Sequence, residues 1–329
     1  MAGRLGNALE VFDKYAYRGR TLVETQMVEE FNSASGGAVV MQGGMTGDFE
    51  DQAGWEKLST LVTNLNLGAT VADETPTPLT QYNERAVHIA QGSKSVSFEP
   101  LRLSWIGLNP RIAGATVGQQ VGRGMVKNKV NNGIQALVTC MTNLPATTTN
   151  NQGTTAADTH NIGLDMLLQA RGKLGDHFRK LRTWVMHSAA WNRFTRKNVK
   201  DFTELFVYED LAVFRDPLGT RFIITDDPAL KYTHSSQDKY RTIGLVEGAL
   251  RFYDSGQLIT NVDTSNRSLI QTTLKTQSSF GMRVRGFSWN NATKYPTLAQ
   301  IGTGSNWTAT ANIEVSDGPG VLLLHQASA

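Results

Sequence analysis

Cys140 is the one cysteine in 329 residues. That excludes an intramolecular disulfide framework and leaves any zinc site to other ligand types. Placed in an apolar stretch, the thiol reads as an inert buried side chain, and a reducing cytoplasm suits such a chain. Long apolar runs are missing too: the longest aliphatic stretch, residues 321–324, falls far short of the roughly 20 residues a spanning helix needs, so no membrane is expected as a partner. Residues 1–20 mix Arg4, Glu10, Asp13, Lys14 and Arg18 with no apolar segment and do not resemble a signal peptide, so secretion is not expected. The strong enzyme signatures are also absent. There is no Gly-Lys-Ser/Thr phosphate loop, no His-Glu-x-x-His and no Gly-x-Ser-x-Gly, and Gly302-Thr303-Gly304 lacks the third glycine and the strand-turn-helix setting of a dinucleotide loop. No enzyme activity and no cofactor are expected.

What is present is a chain with 40% apolar residues, enough to fill a sizeable core, and an uneven distribution of charge. Residues 1–100 carry 7 basic and 13 acidic side chains, residues 101–200 carry 14 and 3, and residues 201–329 carry 11 and 13. An acidic first third therefore meets a strongly basic middle third, either within one subunit or between neighbours. Within 171–200, Arg171, Lys173, Arg179, Lys180, Arg182, Arg193, Arg196, Lys197 and Lys200 stand against Asp176 alone. Phe178, Trp184, Trp191 and Phe194 are interleaved with them, a composition compatible with phosphate or acidic-neighbour contact. The same aromatics fit core positions of a strand and a short helix, and the basic residues fit a solvated face.

Along the chain, helical spacing of Leu22, Val23, Met27, Val28 and Phe31 predicts a helix over 21–32, closed by Ser33-Ala34-Ser35-Gly36-Gly37. Residues 1–19 have weaker periodicity and read as an arm without a partner in its own sequence neighbourhood. Thr75-Pro76-Thr77-Pro78 denies the backbone successive donors and marks a loop tip. Residues 85–98 follow as a strand broken at Gly92-Ser93, so that 60–103 forms an extended two-stranded arm. Asn109-Pro110 opens a helix that can run to residue 143, roughly 50 Å at 1.5 Å per residue. Gly114, Gly118 and Gly122 line one face of it and predict a close-packed seam.

The polar segment 144–157 is the best internal boundary. Beyond it, 162–174 reads as an amphipathic helix with Leu164, Leu167, Leu168 and Leu174 inward, 183–187 as a buried strand, and 189–197 as a short helix capped by Ser188. Strands follow at 204–208, 212–215, 221–225, 242–246, 269–275 and 282–288, with a turn at 216–219. The order is α+β.

Chemical candidates are few. Asp48, Glu50 and Asp51, or Asp226-Asp227, carry oxygens suited to a hard cation, but solvated loop acids are the commoner fate of such groups. His187 beside Ser188 lacks a placed third partner and fits a hydrogen-bonded strand end better than a catalytic pair.

Several strings in this order resemble the major capsid proteins of tailed bacteriophages with the Hong Kong 97-type capsid fold. They are Ile106-Gly107-Leu108-Asn109-Pro110, Lys173-Leu174-Gly175-Asp176 followed by Val185-Met186-His187-Ser188, and Ile223-Ile224-Thr225-Asp226-Asp227. Gly286-Phe287-Ser288-Trp289, Pro296-Thr297 and Asn306-Trp307 complete the set. The resemblance implies an N-terminal arm over 1–59, an E-loop over 60–103 lying across a neighbouring subunit, and a peripheral domain over 104–150 with its spine helix. It further implies an axial domain over 151–265, return strands of the peripheral domain over 266–300, and a C-terminal segment over 301–329.

Function would then reside in interfaces. The implied partners are copies of the same chain as hexamers and pentamers, a scaffolding protein and portal during assembly, a decoration protein, and packaged DNA through non-specific contact. The place would be the virion capsid, assembled in the host bacterial cytoplasm. Asp48, Glu50, Asp73, Pro76, Pro78 and Glu84 are the expected interface residues of arm and E-loop. The eight basic residues from Arg171 to Lys197 are expected to face DNA or a neighbour. The short stretch before the first helix implies a separate scaffolding protein without cleavage, and Lys94, away from the expected 76–83 tip, implies no Lys–Asn crosslink. An encapsulin-like nanocompartment shell and a basic nucleic-acid-binding protein are the other readings.

Overall fold

The computed structural model describes residues 2–44, 47–55, 76, 81–99, 110–153, 160–198, 202–208, 211–216, 219–266, 270–310 and 314–327. Its first element, α1 (Ala2–Ala34), is a single 33-residue helix. The 21–32 helix is thus its second half, and 2–19 continue it instead of trailing as an arm without a partner. The reason lies in packing: Phe12, Ala16 and Gly19 are all buried, and two of these three are too small to register in a hydrophobic pattern.

Strands β1 (Val39–Gly43), β2 (Phe49–Trp55), β3 (Gln81–Gly92) and β4 (Val96–Phe98) come next. Then α2 (Pro110–Thr142) spans 33 residues, the length its proline start and spacing predict. The following elements are β5 (Thr148–Asn150), α3 (Leu164–Gly172), β6 (Leu181–Met186) and α4 (Ser188–Asn198). After them run β7 (Thr203–Tyr208), β8 (Leu211–Arg215), β9 (Arg221–Thr225), β10 (Lys231–His234) and β11 (Gln237–Val246). A long hairpin, β12 (Leu250–Asn266) and β13 (Ile270–Val284), precedes β14 (Phe287–Trp289), α5 (Leu298–Ile301), β15 (Trp307–Ala309) and β16 (Gly320–His325).

Two sheets organise these strands. One has the order β1-β12-β13-β3-β2 with β4 also on β13; the other runs β5-β16-β11-β6-β9-β8-β7 with β10 on β11. The first sheet turns one face toward the helices through a row in register: Met41, Phe252, Met282, Val87 and Phe49. Gly133 of α2 lies against Leu250 and Phe252 of that face, where an added methyl carbon would meet the Leu250 side chain. In the second sheet Trp184, Val185, Ile223, Ile243, Leu322 and Leu323 form the buried centre. Residues 321–324, the aliphatic run too short for a membrane span, supply its β16 strand. Among the described residues no helix is long and apolar enough to cross a membrane.

The helices meet differently from the strands. Gly114, Gly118 and Gly122 of α2 abut Phe12, Ala16 and Arg20 of α1, and Gly19 of α1 abuts Ala115, where an added methyl carbon would lie 2.6 Å from the Ala115 carbonyl oxygen. Partner numbers rise together, so the two helices run parallel along the predicted close-packed seam. Below the seam, Lys129 of α2, 5% exposed, bridges Glu24 of α1 at 3.7 Å and Asp254 of β12 at 3.8 Å. Cys140 is fully buried on the same helix, and burial raises its thiol pKa well above the ordinary value.

The C-terminus of α1 joins the two sheets. β1 enters the first sheet, while Arg221 Nη1 and Thr183 Oγ1 of the second donate to the carbonyls of Ser33 at 2.7 Å and Ser35 at 2.8 Å. A guanidinium on the last-turn carbonyls answers the negative end of the helix dipole, where α1 has no basic residue of its own.

Differences from expectation have local causes. α3 buries Met166, Leu167 and Ala170, leaving Leu164 at 48% and Leu168 at 53% exposure, so the expected leucine face is rotated away from the sheet. α4 is capped by Asp226 Oδ1, which accepts from the Ser188 backbone N–H, and by His187 Nδ1, which accepts from that of Ala189; the Ser188 side chain is not the cap. The separate strands at 269–275 and 282–288 are one strand, β13, followed by a turn into β14. The step expected at 265/266 falls at the tip of the β12–β13 hairpin, both strands of which lie in the first sheet.

Candidate assembly surfaces

Two features reach beyond the packed body: the β2–β3 hairpin and a basic groove beside it. In the hairpin, Phe49 pairs with Val87 and the ladder runs to Trp55 opposite Gln81, which places residues 56–80 in the connection. It starts at residue 49, earlier than the expected 60, because β2 uses the short alternating segment after Asp48. Pro76 is exposed; Asp73 and Pro78 lie outside the described residues.

The expected acidic interface residues divide. Asp48 is used within the chain, where Lys294 and the Tyr295 hydroxyl, at 3.0 Å, bind its carboxylate and lower its pKa. Glu84 accepts from the Gly286 backbone N–H at 2.8 Å and lies 3.7 Å from Arg283 Nε. Asp51, unremarked as an interface residue, holds Arg85 in a two-point contact at 2.7 and 3.0 Å. Glu50 is exposed. The acidic first third thus meets basic groups partly inside its own subunit. Lys94 is exposed in the short link between β3 and β4.

The basic segment also divides. Trp191 stacks on Phe214 with centroids 5.1 Å apart and meets Phe202 edge-on at 4.8 Å, while Trp184 and Phe194 are 3% exposed. Three of the four interleaved aromatics therefore serve the core, as their strand and helix spacing suggests. Phe178 alone stays outside, 41% exposed between Arg171 and Arg179, whose guanidinium carbons lie 5.0 and 5.7 Å from its ring centre. Lys173, Arg179, Lys180, Arg182 and Arg196 are exposed, Arg171 and Arg193 are partly so, and the Lys197 side chain lies outside the described residues.

Arg179, Lys180 and Arg182 open onto a cleft of about 610 Å³ shared with Glu247, Arg251 and Arg285. A second cleft of about 230 Å³, with Arg283, Glu84 and Tyr82, shares Gly248, Arg251 and Arg285 with the first. The two form one groove along the outer face of the first sheet. Sequence reading missed its Arg251, Arg283 and Arg285 because they lie outside the linear basic block. The alternation Met282-Arg283-Val284-Arg285 is the signal that could have found them.

The acid-rich candidates for metal or catalysis resolve into structural roles. Asp227 Oδ1 accepts from the Ala229 backbone N–H at 2.7 Å in the 228–230 turn, and burial raises its pKa. His187 contacts Asp226 at 3.5 Å and the Tyr240 ring at 5.2 Å, a strand-end position. Among the described residues no three His, Cys, Asp or Glu side chains converge to hold a metal ion.

A family model of major capsid proteins, described as Gp13-like or major capsid protein 13-like, matches residues 8–322. The chain belongs to this capsid protein family. It is a structural subunit of a bacteriophage capsid shell, and its α+β architecture is the Hong Kong 97-type fold. The search of curated proteins gives no match. Among solved structures, the Cyanophage Pam1 capsid asymmetric unit is similar at 10% identity and TM-score 0.53, covering 87% of this chain and 86% of that one. The capsid of Ralstonia phage GP4 is similar at 9% identity and TM-score 0.54, covering 89% and 88%. The Mycobacterium phage Cain structure matches at 11% identity and TM-score 0.52, covering 91% of each chain. At such identities the likeness carries the fold alone.

Proposed function

We propose that this capsid subunit assembles as hexamers and pentamers into a closed icosahedral head around double-stranded phage DNA, with no enzymatic step of its own. The observation that carries the reading is the hairpin built on β2 and β3. Its 25-residue connection, 56–80, leaves the ladder at Trp55 and returns at Gln81, a length suited to crossing onto a neighbour. In this reading 1–59 holds the N-terminal arm and the outgoing strand β2 of the E-loop, 60–103 the rest of the E-loop, 104–150 and 266–300 the peripheral domain, 151–265 the axial domain followed by the β12 strand that returns to the first sheet, and 301–329 the C-terminal segment. Glu50, Asp73, Pro76 and Pro78 then belong to the contact with the neighbour, joined by Asp48 and Glu84 where their internal bonds leave oxygen lone pairs. The exposed basic residues from Arg171 to Arg196 meet a neighbour or the packaged DNA.

Assembly proceeds in the host bacterial cytoplasm with a separate scaffolding protein and a portal, and a decoration protein can be added to the finished shell. Expression of the full chain followed by electron microscopy tests the reading. Closed shells of uniform diameter are expected, and uniform small oligomers under all assembly conditions would reject it. Nuclease-protected DNA in virion-derived shells is the further expectation; an enclosed enzyme would assign the particle to the nanocompartment class.

A further inference from the structure

The outer face of the first sheet holds an arrangement that a lone subunit does not balance. Arg251 on β12 stands directly opposite Arg283 on β13 in the antiparallel register. Like charges so placed repel, and a sheet keeps such a pair at a cost unless an anion lies over it. Glu84 answers Arg283. Arg285 is spent on carbonyls, with Nε donating to Asp317 O at 3.1 Å and Nη1 to Glu247 O at 3.0 Å. Among the described residues no carboxylate forms an ion pair with Arg251, Arg179, Lys180 or Arg182. The second sheet carries a basic surplus of its own beside Arg182, since Arg215 and Arg182, after burial, depress the pKa of Arg221.

The groove is therefore a preformed anion site, and its shape selects the anion. It is a recess of about 610 Å³ continuing into one of about 230 Å³, walled by Gly37 and Val40 on one side and by the β2–β3 hairpin on the other. Volumes of that size hold a few residues of peptide chain, far less than a turn of nucleic-acid duplex. The chain itself supplies a suitable segment. Between Lys57 and Glu84 the only charged residues are Asp73 and Glu74, which immediately precede Thr75-Pro76-Thr77-Pro78. Proline at alternate positions fixes φ there and leaves a chain fewer conformations to lose on binding.

From these observations we infer that the groove of Arg179, Lys180, Arg182 and Arg251 receives the Asp73–Glu74 carboxylates of a second copy of the chain. The inference rests on the shell reading and adds the acceptor residues to it. The ion pairs formed over Arg251 relieve the repulsion with Arg283, so contact between copies stabilises the sheet that receives it. Such a latch weakens as salt screens it.

The test uses full-length chains and two complementary reversals. R182E/R251E reverses the groove, and D73K/E74K reverses the incoming segment; retained thermal unfolding transitions show that each folds. Each variant alone is expected to give at least tenfold fewer shells than wild type by electron microscopy. The four changes combined in one chain should restore shells, and a one-to-one mixture of the two variants should give mixed oligomers that neither variant forms alone, because each offers the charge its partner lacks.

Restoration of shells in the combined chain with no mixed oligomers from the two variants would overturn the inference in favour of the chain's own segment filling its own groove. Normal shells from both variants, or loss of retained DNA from R182E/R251E without effect of D73K/E74K, would also overturn it. Wild type that forms no shell at all rejects the capsid reading itself, a result distinct from each of these.

Discussion

Two helices dock in opposite ways. α2 meets α1 along Gly114, Gly118 and Gly122, where absent side chains let backbone approach backbone. α4 meets the second sheet through Trp191 and Phe194 among Phe202, Phe214 and Phe222, where large rings fill the gap. The first contact is intolerant of added atoms and the second of removed ones. One subunit thus holds two mechanical limits: a seam without spare volume and a cluster whose cohesion is all side chain.

The sharpest way to break the seam is Gly118→Leu. A methyl there already overlaps the Ala16 carbonyl, so the helices must part, and a loss of about 4 kcal/mol is expected in urea unfolding of the unassembled chain. A loss under about 1 kcal/mol would show that the helices separate freely. On the other side, Trp191→Ala should cost about 3 kcal/mol through lost ring contacts and the cavity left behind, with far less effect on the α1–α2 seam.

A pH titration separates the halves again, because the second sheet contains the fully buried His325. Its Nε2 pairs with Thr242 Oγ1 at 2.8 Å and its Nδ1 with Gln326 O at 2.8 Å, and burial lowers its pKa to about 4. Above pH 6.5 the ring is neutral whether the chain is folded or unfolded. As pH falls from 6.5 towards 4 the unfolded chain takes up a proton that the folded chain refuses, so stability declines, levelling off below the folded value. About 2 kcal/mol should be lost between pH 7 and pH 4.5. His325→Gln should remove most of that slope, and an unchanged slope would assign it elsewhere. The smallest effect has the opposite sign: Gly124, on the same helix as the seam but facing open space, should stabilise by about 1 kcal/mol when changed to Ala. Gain at 124 beside loss at 118 would confirm that location, rather than glycine content, defines the seam.

The sequence made some of this legible and hid the rest for identifiable reasons. α2 was readable from Asn109-Pro110 and its spacing, and β7 to β9 from short β-rich runs between turn residues. The first half of α1 was not, since Ala16 and Gly19 pack by being small. β12 escaped because Asp254, Ser255 and Gly256 interrupt its alternation. At the surface, the basic block was visible as a linear cluster, but the groove it opens onto was not: Arg251 and Arg283 are 32 positions apart and become neighbours only through strand pairing.

The parallel seam has a consequence in time. Phe12, Ala16 and Arg20 meet Gly114, Gly118 and Gly122, a constant separation of 102 positions. At a synthesis rate of roughly 5–20 residues per second, α1 waits on the order of 5 to 20 s for the face that will cover it. During that interval the nascent chain presents a long helix whose seam positions are Phe12, Ala16 and Arg20, with Val23 and Phe31 further along it also awaiting cover. At the seam itself only one of those three side chains, Phe12, is apolar and large, so wrong partners find little to seize there, whereas Val23 and Phe31 leave the second half of α1 the stickier one.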